Sequence, residues 1–204
     1  MSKREQLDHH YYSSASDPST WWAQAKRLIL SARVLHDPAL KYFTGTPEEK
    51  VEGEAHLNAF FILASFAIEN GMKALVVHNR AEEIRKQLSE RKKLPEILRT
   101  HDLLDLARLS NIPVLTKENE LFLQRMTRYA VWAGRYPVPL YSEHVEVPTS
   151  LLTSNEWVIT NAYEEYDMKV CNFLYGFLEK QWNERKAQQG VPPYVAQGAP
   201  SGER

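Results

Sequence analysis

The sequence predicts an all-α protein: an up-and-down bundle of four to five main helices with a long proline-containing loop before the last one. Three observations carry this. Helix-start signals recur, with a capping side chain ahead of proline at the first helical position in Asp17-Pro18 and Thr46-Pro47. Apolar residues return in steps of three and four along most of the chain. The alternation of apolar and polar residues that marks a half-buried strand is almost absent.

Asp17-Pro18-Ser19-Thr20 opens the first helix, whose stripe is Trp21, Trp22, Ala25, Leu28, Ile29, Ala32 and Leu35. A stop is expected near His36-Asp37-Pro38, because the residue before a proline is pushed away from helical dihedrals. Thr46-Pro47-Glu48-Glu49 starts the second helix with a capping Thr three residues before a Glu, and acid on the positive end of the dipole. This helix runs to about His78 and is apolar nearly all round between Ala59 and Ala67, which places it at the centre of the core. From Arg80 to Arg99 seven basic residues face four acidic ones, and Ile84 and Leu88 mark a short, marginal surface helix before Pro95. Thr100 is expected to cap a short helix carrying Leu103, Leu104, Leu106, Ala107 and Leu109. Thr116 opens another, through Leu121, Phe122, Met126, Tyr129 and Ala130 to Gly134.

Pro137, Pro139 and Pro148 forbid a regular helix between Arg135 and Ser154 and predict a long ordered loop or arm. Thr153 with Glu156 forms a second capping box, and the last helix carries Trp157, Tyr166, Val170, Phe173, Leu174, Phe177 and Leu178 before Glu184-Arg185-Lys186. The expected division is a flexible tail over 1–16, a helical domain over 17–187, and a disordered tail over 188–204 that contains Pro192-Pro193.

With 25 Lys+Arg against 26 Asp+Glu in 204 residues, no bulk charge draws the chain to nucleic acid or to an anionic membrane. The single cysteine, Cys171, forms no internal disulfide and no structural zinc site, which fits a reducing compartment. The start is polar and lacks the apolar stretch of a secretory signal. The longest apolar segment, Ala55 to Val77, is interrupted by Glu69, Asn70 and Lys73, so it is read as falling short of a membrane span. A soluble, cytoplasmic protein with no membrane partner is the expectation. There is no Gly-rich phosphate loop, no His-Glu-x-x-His and no pair of Glu-x-x-His segments, so no metal and no nucleotide cofactor is implied.

Three stretches carry a likeness. Trp21-Trp22-Ala23-Gln24-Ala25 sets aromatics before an alanine-spaced stripe, and Ala67-Ile68-Glu69-Asn70-Gly71-Met72-Lys73-Ala74-Leu75 interrupts an apolar run with a Glu and a Lys four apart. Thr100-His101-Asp102-Leu103 is followed, after the next helix, by Gly134-Arg135-Tyr136-Pro137. In this order, over about Trp21 to Leu178, the chain resembles the HEPN domain family of small helical bundles. The resemblance implies a helical binding or regulatory module of a prokaryotic stress or defence system, forming a homodimer, with RNA, a nucleotide or a partner protein as ligand. Two alternatives stay open beside it: a metal-independent, toxin-like RNase using Arg135 and a displaced His, and a structural dimerisation domain.

Many members of that family are RNases with an Arg, four to six intervening residues and a His, paired across a dimer. In such a site the His takes the proton from a ribose 2′-OH while the Arg fork holds the phosphate. Arg135 matches by context, but Leu140, Tyr141 and Ser142 occupy the three His positions, and His144 follows Arg135 with eight residues intervening. Arg4 with His9 or His10 satisfies the spacing, as ~1.3 such matches do by chance in this composition. The catalytic candidates are therefore Arg135, His144 and His101, and the ligand-binding candidates are Glu69, Lys73, Tyr136 and Asp102.

Each has a plainer reading. Glu69 and Lys73 are either an exposed i,i+4 ion pair or the lining of a polar site. His101 is either part of a helix start, where Asp102 complements the dipole, or a catalytic base. Cys171 sits beside the Val170 and Leu174 stripe as a core filler rather than a nucleophile. Tyr129, Trp132, Tyr136 and Tyr141 surround Arg135 as packing aromatics or as platforms for bases.

Overall fold

Capping chemistry sets the two longest adjacent helices. The computed structural model describes residues 3–91, 93–113, 116–133 and 156–188, and every regular element among them is helical. Helix α1 covers Lys3–Ser16 and α2 covers Pro18–Thr44, where the Asp17 carboxylate accepts from the Ser19 N–H at 2.8 Å. Helix α3, Pro47–Asn79, begins in a complete capping box: Thr46 Oγ1 accepts from the Glu49 N–H at 3.3 Å, and the Glu49 carboxylate accepts from the Thr46 N–H at 3.0 Å. Only Gly45 and Thr46 join α2 to α3, so the two fold back antiparallel. Tyr42 near the end of α2 touches Gly53 near the start of α3, while Trp22 at the start of α2 lies against Gly71 far along α3. A β-carbon on Gly53 would stand 2.3 Å from the Tyr42 backbone nitrogen, so these backbones approach more closely than any side chain permits.

Short elements follow: α4 over Ala81–Arg91, α5 over Glu96–Arg99 and α6 over Leu103–Leu109. Helix α6 ends with Asn111 at φ 60, where the Ile112 N–H reaches the Ala107 carbonyl at 2.9 Å and the Asn111 N–H the Arg108 carbonyl at 3.1 Å. That double bond over a left-handed residue is a Schellman stop, and buried Ile112 completes it. Helix α7, Lys117–Arg128, runs on into a π-helical turn at Tyr129–Ala133, and α8 covers Glu156–Gln188.

Contacts give the directions of the long helices. The start of α6 meets the end of α7, where Thr127 Oγ1 accepts from the Leu103 N–H at 3.0 Å, and the Tyr129 ring stacks on Phe61 at 4.8 Å. Leu178 of α8 lies against Gly71, and Trp182 lies beside His78. Helices α3 and α8 therefore run one way and α2 and α7 the other, an up-and-down arrangement. Trp22 anchors its core, stacked at 5.6 Å on Tyr175 and at 5.5 Å on Trp182. Ile29, Phe60, Phe61, Ile68, Met72 and Leu75 fill the middle with no exposure above 1%.

Several expectations are corrected. Residues 3–16, read as part of a flexible tail, form α1, because Ala15 and Tyr12 pack on a second cluster of Val76, Val77, Ile84, Leu88 and Leu98. The same cluster makes α4 more than a marginal surface helix. Helix α2 does not stop at Pro38. The Val34 carbonyl that loses its donor belongs to a residue 75% exposed, and packing of Ala39, Leu40 and Phe43 carries the helix onward. Asp102 rather than Thr100 caps α6. By length and composition α3 does reach the measure of a bilayer span, although 78% of its most apolar stretch is buried inside the protein. On α8 the buried stripe is Asp167, Met168, Cys171, Tyr175, Leu178 and Trp182, while Tyr166 and Phe173 face outward. The proline-rich segment, Thr153 with its capping box and the 189–204 tail lie outside the described residues.

The close α2–α3 approach is directly testable. Gly53→Ala forces backbone apart from backbone and lowers the free energy of unfolding by about 1–3 kcal/mol, the usual cost of overpacking, as read from urea denaturation. An unchanged midpoint would contradict the geometry.

Candidate functional site

Charge in the middle of an apolar helix locates the site. Glu69 and Lys73 lie one turn apart on α3 with relative exposures of only 4% and 3%. Lys73 Nζ donates to Glu69 Oε1 at 2.6 Å, and its ammonium also stands 5.6 Å from the centre of the Trp21 ring, a cation–π distance. Trp21 is fixed in turn, since its Nε1–H donates to the Ala15 carbonyl at 3.0 Å, tying α1 to α2. The reading of Glu69 and Lys73 as an exposed pair is therefore replaced by the buried one.

The second carboxylate oxygen has its own partner. Glu69 Oε2 lies 3.0 Å from His101 Nδ1, thirty-two residues along the chain. A carboxylate oxygen only accepts, so Nδ1 carries the proton of this bond and Nε2 is left with its lone pair when the ring is neutral. The His101 side chain is 50% exposed, whereas that of Glu69 is 6% exposed. The arrangement is thus a buried acid that orients a half-exposed imidazole, the relation that presents a general base or a hydrogen-bonding ligand contact.

Local structure holds His101 there. Thr100 Oγ1 accepts from the Asp102 N–H at 3.1 Å, and the Asp102 carboxylate accepts from the N–H groups of Leu104 at 2.9 Å and Asp105 at 3.0 Å. His101 therefore sits in a turn clamped between two caps, and Thr127 pins the helix after it to α7. An open depression begins one residue away, lined by Glu96, Ile97, Arg99, Thr100, Asp105 and Leu109.

Of the seven residues singled out from sequence, Glu69, Lys73 and His101 come together. Asp102 is adjacent, and its carboxylate caps α6. Arg135, Tyr136 and His144 lie outside the described residues, as do Tyr141 and the spacing between Arg135 and its His. Tyr129 packs inward on Phe61. Sequence reasoning missed Trp21 as the wall over Lys73, and it missed a second ion pair, formed on a buried carboxylate. Arg125 of α7 grips Asp167 of α8 with two bonds, Nε to Oδ2 at 2.6 Å and Nη2 to Oδ1 at 2.7 Å. Burial pushes the Asp167 carboxyl above its ordinary range against the downward pull of Arg125. The signal was available: Asp167 falls four residues before Cys171, which the sequence places in the core, and so shares its face of α8.

Cys171 is wholly buried, 3.6 Å from Met126 Sδ, and burial pushes its thiol well above the ordinary range, so it packs and does not attack. Among the described residues no three His, Cys, Asp or Glu side chains cluster closely enough to hold a metal ion. No family model, no curated protein and no solved structure matches the chain.

Removing one charge of the buried pair strands the other. Lys73→Met lowers stability by about 3–5 kcal/mol, and Lys73→Met with Glu69→Leu recovers much of that loss, as the paired urea midpoints report. A single variant as stable as the wild type would show that the pair is hydrated.

Proposed function

We propose that the chain is a HEPN-like binding or regulatory module whose ligand contact is His101, oriented by the buried Glu69–Lys73 pair. The observation that supports this most is the 3.0 Å contact between a buried carboxylate and a half-exposed imidazole. Burying two charges is expensive, and a chain that needed only a core at this point would be served by apolar residues. The ligand class is single-stranded RNA or a nucleotide, whose phosphates and base edges a fixed imidazole and the neighbouring Arg99 can hydrogen-bond. The likeness of the Glu-Lys helix and the His-Asp-Leu start to the HEPN family supports the same class.

A second reading is a metal-independent RNase of a toxin or defence system. The oriented Nε2 of His101 favours it, because a general base needs a free lone pair and a fixed ring. In that reading Arg135 holds the phosphate and His101, rather than His144, takes the proton.

Fluorescence anisotropy with short single-stranded RNAs separates these readings. The binding module shows His101→Ala weakening association by about tenfold or more, the worth of one charge-assisted hydrogen bond, without cleavage in EDTA. Cleavage that survives EDTA and is lost in both Arg135→Ala and His101→Ala would establish the RNase. Undiminished binding by His101→Ala would remove His101 from the site.

A further inference from the structure

Helix α1 is held on the bundle mainly near its C-terminal end. Among its described residues Ala15 alone is buried and Tyr12 is half-buried, while Leu7 and Tyr11 are exposed. Those two anchors rest on the satellite cluster of Val76, Val77, Ile84, Leu88 and Leu98. With 14 residues, α1 has the length at which a helix alone in water is marginal, so its order depends on that docking. Elements with so little buried surface open far more readily than the whole molecule unfolds. Release leaves α2 intact, because Asp17 is the single residue between the two helices and its carboxylate caps α2 through the Ser19 N–H.

Two routes run from this weakly held element to His101. The first passes through Trp21, whose indole N–H donates to the Ala15 carbonyl at 3.0 Å and whose ring packs on both the main core and the satellite cluster. That ring stands 5.6 Å from the Lys73 ammonium; Lys73 in turn holds Glu69, and Glu69 holds His101. The second passes through the satellite cluster itself. Ile97 and Leu109, which line the depression beginning one residue from His101, pack on the same cluster that receives Tyr12 and Ala15. We propose that α1 is a detachable strap that regulates the His101 site. Docked, it holds Trp21 over Lys73 and completes the cluster behind the depression. Released, it frees the indole, admits water to the Lys73 ammonium and lets Glu69 part from His101. Its consequence for binding rests on the reading of His101 as the ligand contact, whereas its mechanics do not. A ligand that needs the oriented imidazole binds the docked form more tightly and, by reciprocity, holds α1 in place.

Native-state hydrogen exchange of the full chain, with nitrogen-15 NMR of the His101 ring, tests this. In the wild type the hydrogen-bonded amides of α1 exchange together, about 100-fold or more faster than those in the middle of α3. Ser13→Pro breaks α1 at an exposed position ahead of Ala15, and Ala15→Glu undocks it by setting a charge against the satellite cluster. Unchanged protection of the α3 amides shows that the bundle survives in both. Each variant moves the His101 ring signals toward those of Glu69→Leu and weakens association with a short single-stranded RNA by about fivefold or more, and saturating RNA slows α1 exchange in the wild type by the same factor. Wild-type α1 amides as protected as those of α3 would overturn the proposal. So would a Ser13→Pro chain in which α1 has lost its protection while the His101 signals stay where they were. A His101 response in a chain that binds no RNA supports the strap and counts only against the proposed ligand.

Discussion

A carboxylate buried in the middle of an apolar helix is the constraint on which the rest of this structure turns. Taken from water alone, Glu69 would cost several kcal/mol, so each of its oxygens must find a donor. Lys73 supplies one from the same helix, and His101 supplies the other from the turn before α6. The second contact requires that turn to stand at a fixed place against α3. The Asp102 cap and the Thr127 hydroxyl hold it there. Lys73 needs an environment for its own charge, and the Trp21 face provides it while its indole N–H joins α1 to α2. One acid thus couples four elements.

Such groups contribute little net stability, since desolvation offsets most of the Coulombic gain. What they supply is orientation. Half-buried Arg125 and buried Asp167 show a related trade, where burial raises the Asp167 carboxyl even though two hydrogen bonds oppose it. That pair fixes α7 against α8, as Glu69 and His101 fix α6 against α3. The apolar core, built on Trp22 between Tyr175 and Trp182, carries the stability on which both pairs draw.

Local signals were legible in the sequence wherever one residue sets its own surroundings. The Thr46 capping box, the Thr116 cap and the all-round apolar α3 are formed as their residues dictate. Signals failed where tertiary packing outweighs them. Pro38 does not end α2, because the carbonyl it orphans belongs to an exposed residue and the residues beyond it are anchored in the core. The α1 segment has no stripe of its own and owes its place to Ala15 and Tyr12 on a satellite cluster. The site was half legible: spacing put Glu69 and Lys73 on one face, but the third member lies thirty-two residues away, and nothing in local periodicity announces that His101 returns to them. On α8 periodicity found Leu178, which is buried, and Val170, Leu174 and Phe177, which pack on the core, but it gathered Tyr166 and Phe173 with them, and these face outward because pattern alone does not say where the covered face ends.

The central claim is that Glu69 holds the Nδ1–H of His101 and leaves Nε2 to face a ligand. Nitrogen-15 NMR correlation of the imidazole ring reads the tautomer directly. The account predicts that neutral His101 carries its proton on Nδ1, and that Glu69→Leu returns it to the Nε2–H form usual for a histidine in water. A wild-type His101 already in the Nε2–H form would contradict the account, for the carboxylate would then be orienting nothing.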